Sequence, residues 1–217
     1  MTLRAALFDF DGTLADSFAA ITASTNHVRA SYGLPELSAA AVREYVGFGL
    51  PHLMEQLVPG ADPAEAVARY REHHPAVMFS GTTLMPGVAE TIPILHQRGL
   101  RLGVCSNKQV HFTKTLIESF GFANAMPVVL GPEDVGGRAK PDPAMLVEGM
   151  SRLGIAKEDC VYVGDMAIDV HTARAVGMAV WLVPGGAVGQ ESAEAAGPDR
   201  ILTGFSELLD LLLPRIE

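Results

Sequence analysis

Residues 7–17 read LFDFDGTLADS, with Asp9, Asp11 and Asp16 inside eight positions and directly behind an apolar run. Asp9 falls where that run ends, and Asp11 follows at i+2, so extended backbone points both side chains to one side. Gly12 and Thr13 then turn the chain. Desolvated carboxylates are unfavourable unless paired or bound to a cation, and a hard cation such as Mg²⁺ is their natural neutraliser. Later segments carry matching chemistry. CSNK offers the Ser106 hydroxyl and the Asn107 amide, AKPDP puts Lys140 before a proline, and VYVGDMAID supplies Asp165 with Asp169 four residues on. A proline biases the residue before it toward extended backbone. A nucleophile candidate, an acid/base candidate, a hydroxyl, a cation and further carboxylates together suit binding and transfer of a phosphoryl group.

Such a set works only if the fold brings it to one place. The segments 4–10, 100–106, 125–130, 160–164 and 178–183 are nearly continuous apolar runs, as expected of parallel strands covered on both faces. Amphipathic stretches of helical length lie between them at 87–98, 109–119, 142–153 and 167–176. Gly99, Gly121, Gly154 and Gly177 follow them, which suits helix C-termini. Strand and helix in alternation predict an α/β fold, a doubly wound and mostly parallel sheet. In such sheets ligands bind at the carboxyl ends of the strands, near the switch in strand order. The candidate residues fall at those ends.

Residues 16–86 break this rhythm. They hold no convincing strand; DSFAAITASTNHVRASYG, SAAAVREYV, LPHLMEQLV and DPAEAVARYREHH read as helices. Asp62 suits an N-cap with Pro63 at the first helical position, and Pro75 is expected to end or kink that helix. The organisation expected is a core of 1–15 and 87–217 with a helical cap of 16–86, hinged near 14–18 and 80–87.

DFDGT, a serine after an apolar strand, KPDP and GDMAID, in that order, resemble the four motifs of the haloacid dehalogenase superfamily, with the resemblance running over essentially the whole chain. The helical insert, with DGTLADS and YGLPELSAAAVREYVGFGL, resembles the phosphoglycolate phosphatase branch. The resemblance implies a Rossmann-like core and assigns roles. Asp9 is implied as the nucleophile that becomes an acyl phosphate, and Asp11 as the group that protonates the leaving alcohol and then deprotonates water. Asp9, the Asp11 backbone carbonyl and Asp165 are implied as Mg²⁺ ligands. Ser106 and the backbone amides of Phe10 and Asn107 are implied as phosphate contacts. Lys140 would neutralise Asp9 and the transferring group, with Asp169 supporting it. Family members that cleave carbon–halogen bonds lack an acid at the position of Asp11, so its presence favours phosphate esters.

Several residues have plainer readings. Asp16 and Ser17 precede FAAITAS and suit a helix N-cap. Ser106 and Asn107 could cap the helix near 109 while also binding an anion there. Asp169 also suits a first-turn acid favoured by the helix dipole, and both readings stay open. ARYREHH reads as a solvated helix face, its His73–His74 pair lacking a third ligand, and PGG at 184–186 reads as a turn. A substrate with a second anion needs a further cation, and Arg43, His52 or another residue of the helical insert is the expected source.

The chain has 217 residues, 48% of them hydrophobic, and a net charge of −9, which argues against non-specific nucleic-acid binding. Cys105 and Cys160 lie in apolar runs and read as buried thiols of a reducing compartment. With no membrane span and no signal segment recognised, the expectation is a cytoplasmic monomer or homodimer acting on a small phosphorylated metabolite. The rival expectations are a β-phosphoglucomutase-like phosphosugar mutase, a pyrophosphatase or nucleotidase on the same scaffold, and a phospho-acceptor signalling domain.

Overall fold

A computed structural model describes residues 3–183 and 194–213. The first strand, β1 (Ala5–Phe8), is central. After it come β2 (Ala15–Asp16), helices α1 (Phe18–Ser31), α2 (Ala39–Arg43), α3 (Leu50–Leu57) and α4 (Pro63–Val77), and β3 (Thr83–Leu84). The chain then alternates through α5 (Val88–Gln97), β4 (Arg101–Cys105), α6 (Val110–Ser119), β5 (Val128–Leu130), α7 (Ala144–Leu153), β6 (Cys160–Gly164), α8 (Ala167–Val176) and β7 (Ala179–Leu182). It closes with β8 (Arg200–Ile201) and α9 (Glu207–Leu212).

The main sheet has the order β5-β4-β1-β6-β7-β8, and every pairing in it is parallel. The strand order therefore reverses beside β1, at whose carboxyl end Asp9 lies. Both faces are buried, which explains why the strands read as unbroken apolar runs. Ala6 and Phe8 face a layer containing Ile92, Leu95, Leu116 and Leu208. Ala5 and Leu7, on the alternate side, face Met145, Leu146, Val170 and Ala173. Registers pair Phe8 with Val104 and with Val163, so the residues just past β1, β4 and β6 stand level with one another.

The helices α1–α4 have an apolar cluster of their own, including Phe18, Ile21, Val28, Leu53, Met54 and Tyr70. Ser38 and Asp62 cap α2 and α4, accepting hydrogen bonds from Ala41 N at 3.2 Å and Glu65 N at 2.9 Å. The buried Arg29 guanidinium ties α1 to the carbonyls of Pro35 and Leu57. Pro75 does not end α4; it falls in the last turn, and the helix runs on to Val77. The chain leaves and re-enters this region through antiparallel β2 and β3, which pair Ala15 with Leu84 and Asp16 with Thr83. The reading that 16–86 lacks strand needs that correction. Two residues per strand are too few for a period-2 pattern to register. The turn expected at 184–186 lies outside the described residues.

Candidate active site

Lys140 is the hub. Its ammonium lies 2.7 Å from Asp9 Oδ2 and 2.6 Å from Asp169 Oδ1, and donates to the Tyr162 hydroxyl at 3.2 Å. An ammonium has three donors, and here each meets an oxygen. Tyr162 in turn donates to the Cys105 carbonyl at 2.7 Å, which fixes its hydroxyl under the lysine. The sequence reading missed Tyr162, which lies inside an apolar strand like any core residue. Lys140 and Asp9 are 4% and 2% exposed, so this pairing is hardly screened by water.

Burial raises the Asp9 carboxyl from its ordinary 3.8 to about 6; Lys140 opposes the rise, and Asp169 adds to it. Lys140 itself is pushed well up, its two carboxylate neighbours outweighing burial. Asp169 unites its two readings. Oδ2 accepts from the amides of Asp165 (3.1 Å) and Met166 (3.0 Å) at the start of α8, while Oδ1 holds Lys140.

Carboxylate oxygens of Asp9, Asp165 and Asp169 lie within 4.8 Å of one another, all buried. Asp9 Oδ1 has no hydrogen-bond partner, an orphaned buried acceptor in an oxygen-only cluster. Such a donor set fits a hard divalent cation. Asp169 already serves a lysine and two amides, so Asp9 and Asp165 are better disposed toward the ion. Thr13 donates to Asp165 Oδ1 at 2.9 Å. Gly12 makes this approach feasible: its φ is +86°, and a Cβ there would lie 2.5 Å from Asp165 Oδ2.

Asp11 turns to a different group. Its carboxylate accepts from the Ser17 hydroxyl and from Lys108 Nζ at 3.1 and 3.4 Å. Ser17 is thus no side-chain cap of α1; Asp16 bonds the Phe18 amide at 3.2 Å instead. Lys108 was missed as a functional residue. The available signal was its position directly behind Ser106 and Asn107, on the loop that leaves β4. Ser106 sits beside Asp9, its hydroxyl also accepting from the Lys108 amide at 3.3 Å. Phe10 has its ring buried in the core, with Lys108 Nζ 5.9 Å from the ring centroid.

Asn107 joins three segments. Its side chain donates to the carbonyls of Gly47 (2.9 Å) and Lys140 (3.2 Å) and accepts from the Lys140 amide at 2.7 Å. The helical segment is thereby fastened over the strand ends, enclosing a cleft of about 510 Å³, mouth included, above Asp9 and Asp11. Tyr70 and His74, one turn apart on α4, line it and are buried, which overturns the reading of ARYREHH as a wholly solvated face. Arg43 stacks 3.9 Å over the Phe18 ring and His52 packs on Phe48; neither lines the cleft, so the structure gives no support to either as a cation for a second substrate anion.

Residues 6–183 match the family model of haloacid dehalogenase-like hydrolases. The chain belongs to this family. A phosphoglycolate phosphatase of Cupriavidus necator is 32% identical, with 97% of this chain and 93% of that protein covered. One from Salmonella typhimurium is 33% identical, with 97% and 92% covered. A crystal structure of a haloacid dehalogenase-like hydrolase from Bacteroides fragilis superposes with a TM-score of 0.85 at 26% identity, covering 95% of this chain and all of that one. A family protein from Streptococcus pneumoniae, 20% identical, shares the fold with a TM-score of 0.87 over 97% and 99% of the two chains. The chain lies in the phosphoglycolate phosphatase-like branch of the haloacid dehalogenase-like hydrolases, and the expectation of an enzyme of the phosphatase type is met. The signalling-domain alternative falls. No helix among the described residues is long and apolar enough to cross a membrane.

Proposed function

We propose that this hydrolase cleaves a small phosphomonoester, phosphoglycolate or a close analogue, through a phosphoaspartate on Asp9, with Mg²⁺ as its ion. The observation that carries the reading is the buried Lys140 ammonium shared between Asp9 and Asp169, next to the unpartnered Asp9 Oδ1. An Asp9 oxygen attacks phosphorus while the bond to the leaving oxygen breaks, and Asp11 gives its proton to that oxygen. Asp11 then takes a proton from water as the water oxygen bonds to phosphorus and the Asp9–phosphorus bond breaks, releasing inorganic phosphate and restoring Asp9.

Lys140 holds the Asp9 carboxylate in position and opposes charge building on the transferring group. Ser106 and the backbone amides of Phe10 and Asn107 are assigned to the phosphate oxygens. Asp9, Asp165 and the Asp11 carbonyl would hold Mg²⁺, which when bound supplies positive charge against those oxygens. Residues 16–86 act as the cap over a 1–15 and 87–217 core. Asn107, bonded to Gly47 at 2.9 Å, links the phosphate loop to cap closure and to exclusion of bulk water. The buried thiols suit a cytoplasmic setting.

The test is hydrolysis of an aryl phosphate and of phosphoglycolate with Mg²⁺, by wild type and Asp9→Asn. Turnover by wild type with loss of at least about a thousandfold in the variant is expected; equal rates refute the nucleophile. Conversion of a hexose 1-phosphate mainly to the 6-phosphate would assign a mutase instead.

A further inference from the structure

The proposed chemistry uses the floor of the cleft and leaves its walls unexplained. Those walls are largely apolar, with Ile21, Val46, Leu50, Leu53 and Phe112 among them. Tyr45, Tyr70 and Gln109 interrupt them with neutral polar groups, and two further side chains stand out. Among the described residues that line the cleft, Lys108 is the one ammonium or guanidinium. Its side chain is 6% exposed, and its Nζ rests on Asp11. The other is His74, with no exposed surface. Its ring is held between Tyr70 and Phe112, with centroids 4.9 and 4.8 Å away, and its Nδ1 lies 2.9 Å from Ser24 Oγ. Its Nε2 is buried without a partner. Burial first, and then the nearby Lys108 charge, hold this imidazole down to about 3, so it is neutral. Ser24 Oγ is also 3.4 Å from His73 Nδ1. A consistent assignment has His73 donating to Ser24 and Ser24 donating to His74 Nδ1, which leaves the His74 proton on Nε2.

We propose that Lys108 from the core and His74 from the cap form an anion subsite for the leaving group, which selects phosphomonoesters whose alcohol carries a carboxylate close to the ester oxygen. The inference rests on the phosphatase reading of the Asp9 site. A carboxylate has two oxygens to offer, one for the Lys108 ammonium and one for His74 Nε2–H. A neutral alkyl leaving group would leave that N–H desolvated and unpaired.

Distance sets the length of the linker. Asp11 must come to about 3 Å from the leaving oxygen to transfer a proton. Lys108 Nζ is 3.1 Å from Asp11 Oδ1. The ammonium therefore lies within about 6 Å of the leaving oxygen, the span of one carbon plus a carboxylate and its hydrogen bond. Recognition also prepares the acid. In the structure both Asp11 oxygens accept from Lys108, and Oδ1 accepts from Ser17 as well. A substrate carboxylate that draws the ammonium toward itself frees an Asp11 oxygen to face the leaving group.

The test compares phosphoglycolate with ethyl phosphate, which has the same ester carbons and no carboxylate, using saturating Mg²⁺. Wild type is expected to favour phosphoglycolate in kcat/KM by about a hundredfold, which is a few kcal/mol of differential recognition by 1.4 kcal/mol per decade. Lys108→Met should shrink that ratio at least tenfold, mainly through KM for phosphoglycolate, and Lys108→Arg should keep part of it. His74→Phe should shrink the ratio several-fold, with partial recovery in His74→Gln, whose amide can donate. Wild type with no preference, or a Lys108→Met variant that slows both esters equally, overturns the subsite and leaves the phosphatase reading standing. No turnover of any phosphate ester, an aryl phosphate included, overturns both. A folded Lys108→Arg variant keeps the comparison decisive if the methionine variant does not fold.

Discussion

Burial of the Asp9 charge should make this carboxylate a liability for stability, and the size of the effect follows from the site. The Asp9 carboxyl stands at about 6 instead of 3.8, with desolvation as the largest cause and Lys140 opposing it. A raised carboxyl binds its proton more tightly in the folded chain than in the unfolded one. Folding is therefore penalised once the pH exceeds both values, and the penalty fades as the pH falls through the window from about 6 to about 4. At pH 7.5 the gap corresponds to ~3 kcal/mol. Asp9→Asn keeps the shape and cannot ionise. It loses one partner of Lys140, although Asp169 at 2.6 Å remains. The net expectation for metal-free protein at pH 7.5 is a stabilisation of about 1–3 kcal/mol, or some two to four degrees of melting temperature per kcal/mol in a chain of this size.

Urea unfolding in EDTA at pH 7.5 and pH 5 measures it. The advantage of Asp9→Asn should be about half as large at pH 5. Excess Mg²⁺ should then raise wild type more than the variant, because an ion that binds the native state stabilises it in proportion to the logarithm of its concentration over its Kd. A variant less stable than wild type in EDTA at pH 7.5 would show that the ion pair with Lys140 outweighs desolvation, and would refute the reasoning.

Gly12→Ala forces a Cβ to 2.5 Å from Asp165 at a φ of +86°, so a loss of about 1–3 kcal/mol and weaker Mg²⁺ binding are expected in thermal melts with and without the ion. Lys140→Met leaves Asp9 and Asp169 buried without their shared cation; a loss of about 3–5 kcal/mol is expected in urea at pH 7, smaller below pH 6, where Asp9 takes up its proton. Burial pushes the Cys160 thiol up to about 12 and Cys105 further, so native protein at pH 8 should leave an aromatic disulfide reagent uncleaved until denaturant is added.

The parallel sheet was legible because two-sided burial writes itself as unbroken apolar runs, and β6 and α8 match their expected spans of 160–164 and 167–176. β8 has two residues, too few to carry a pattern. The cluster of Asp9, Lys140, Asp165 and Asp169 was legible for a related reason: acids and a lysine beside buried strands conflict with burial until something pairs them. Lys108, Ser17 and His74 raised no such conflict. A lysine after a loop asparagine, a serine before a helix and a histidine in a polar run are each ordinary alone. Ser17 reaches Asp11 across six residues, but Lys108 does so from 97 positions away, and His74 meets Phe112 of α6 only once the chain has folded.

Charge ties these features together. Asp9 and Asp169 share one ammonium, and oxygens of Asp9, Asp165 and Asp169 lie within 4.8 Å of one another, so carboxylate is crowded at this point. A bound divalent ion would meet that crowding and offset the desolvation of Asp9, so stability and metal binding should respond together. In the proposed reaction a phosphate dianion would bring two negative charges to the site, and the Ser106 hydroxyl and backbone amides are the groups proposed to meet them. A leaving group that carries yet another anion cannot draw on Lys140, which is already held at 2.7 Å by Asp9 and 2.6 Å by Asp169. It needs a cation outside the catalytic cluster yet within reach of Asp11. Lys108 meets both conditions, and its 3.1 Å contact with Asp11 would place substrate selection beside the proposed carrier of the proton.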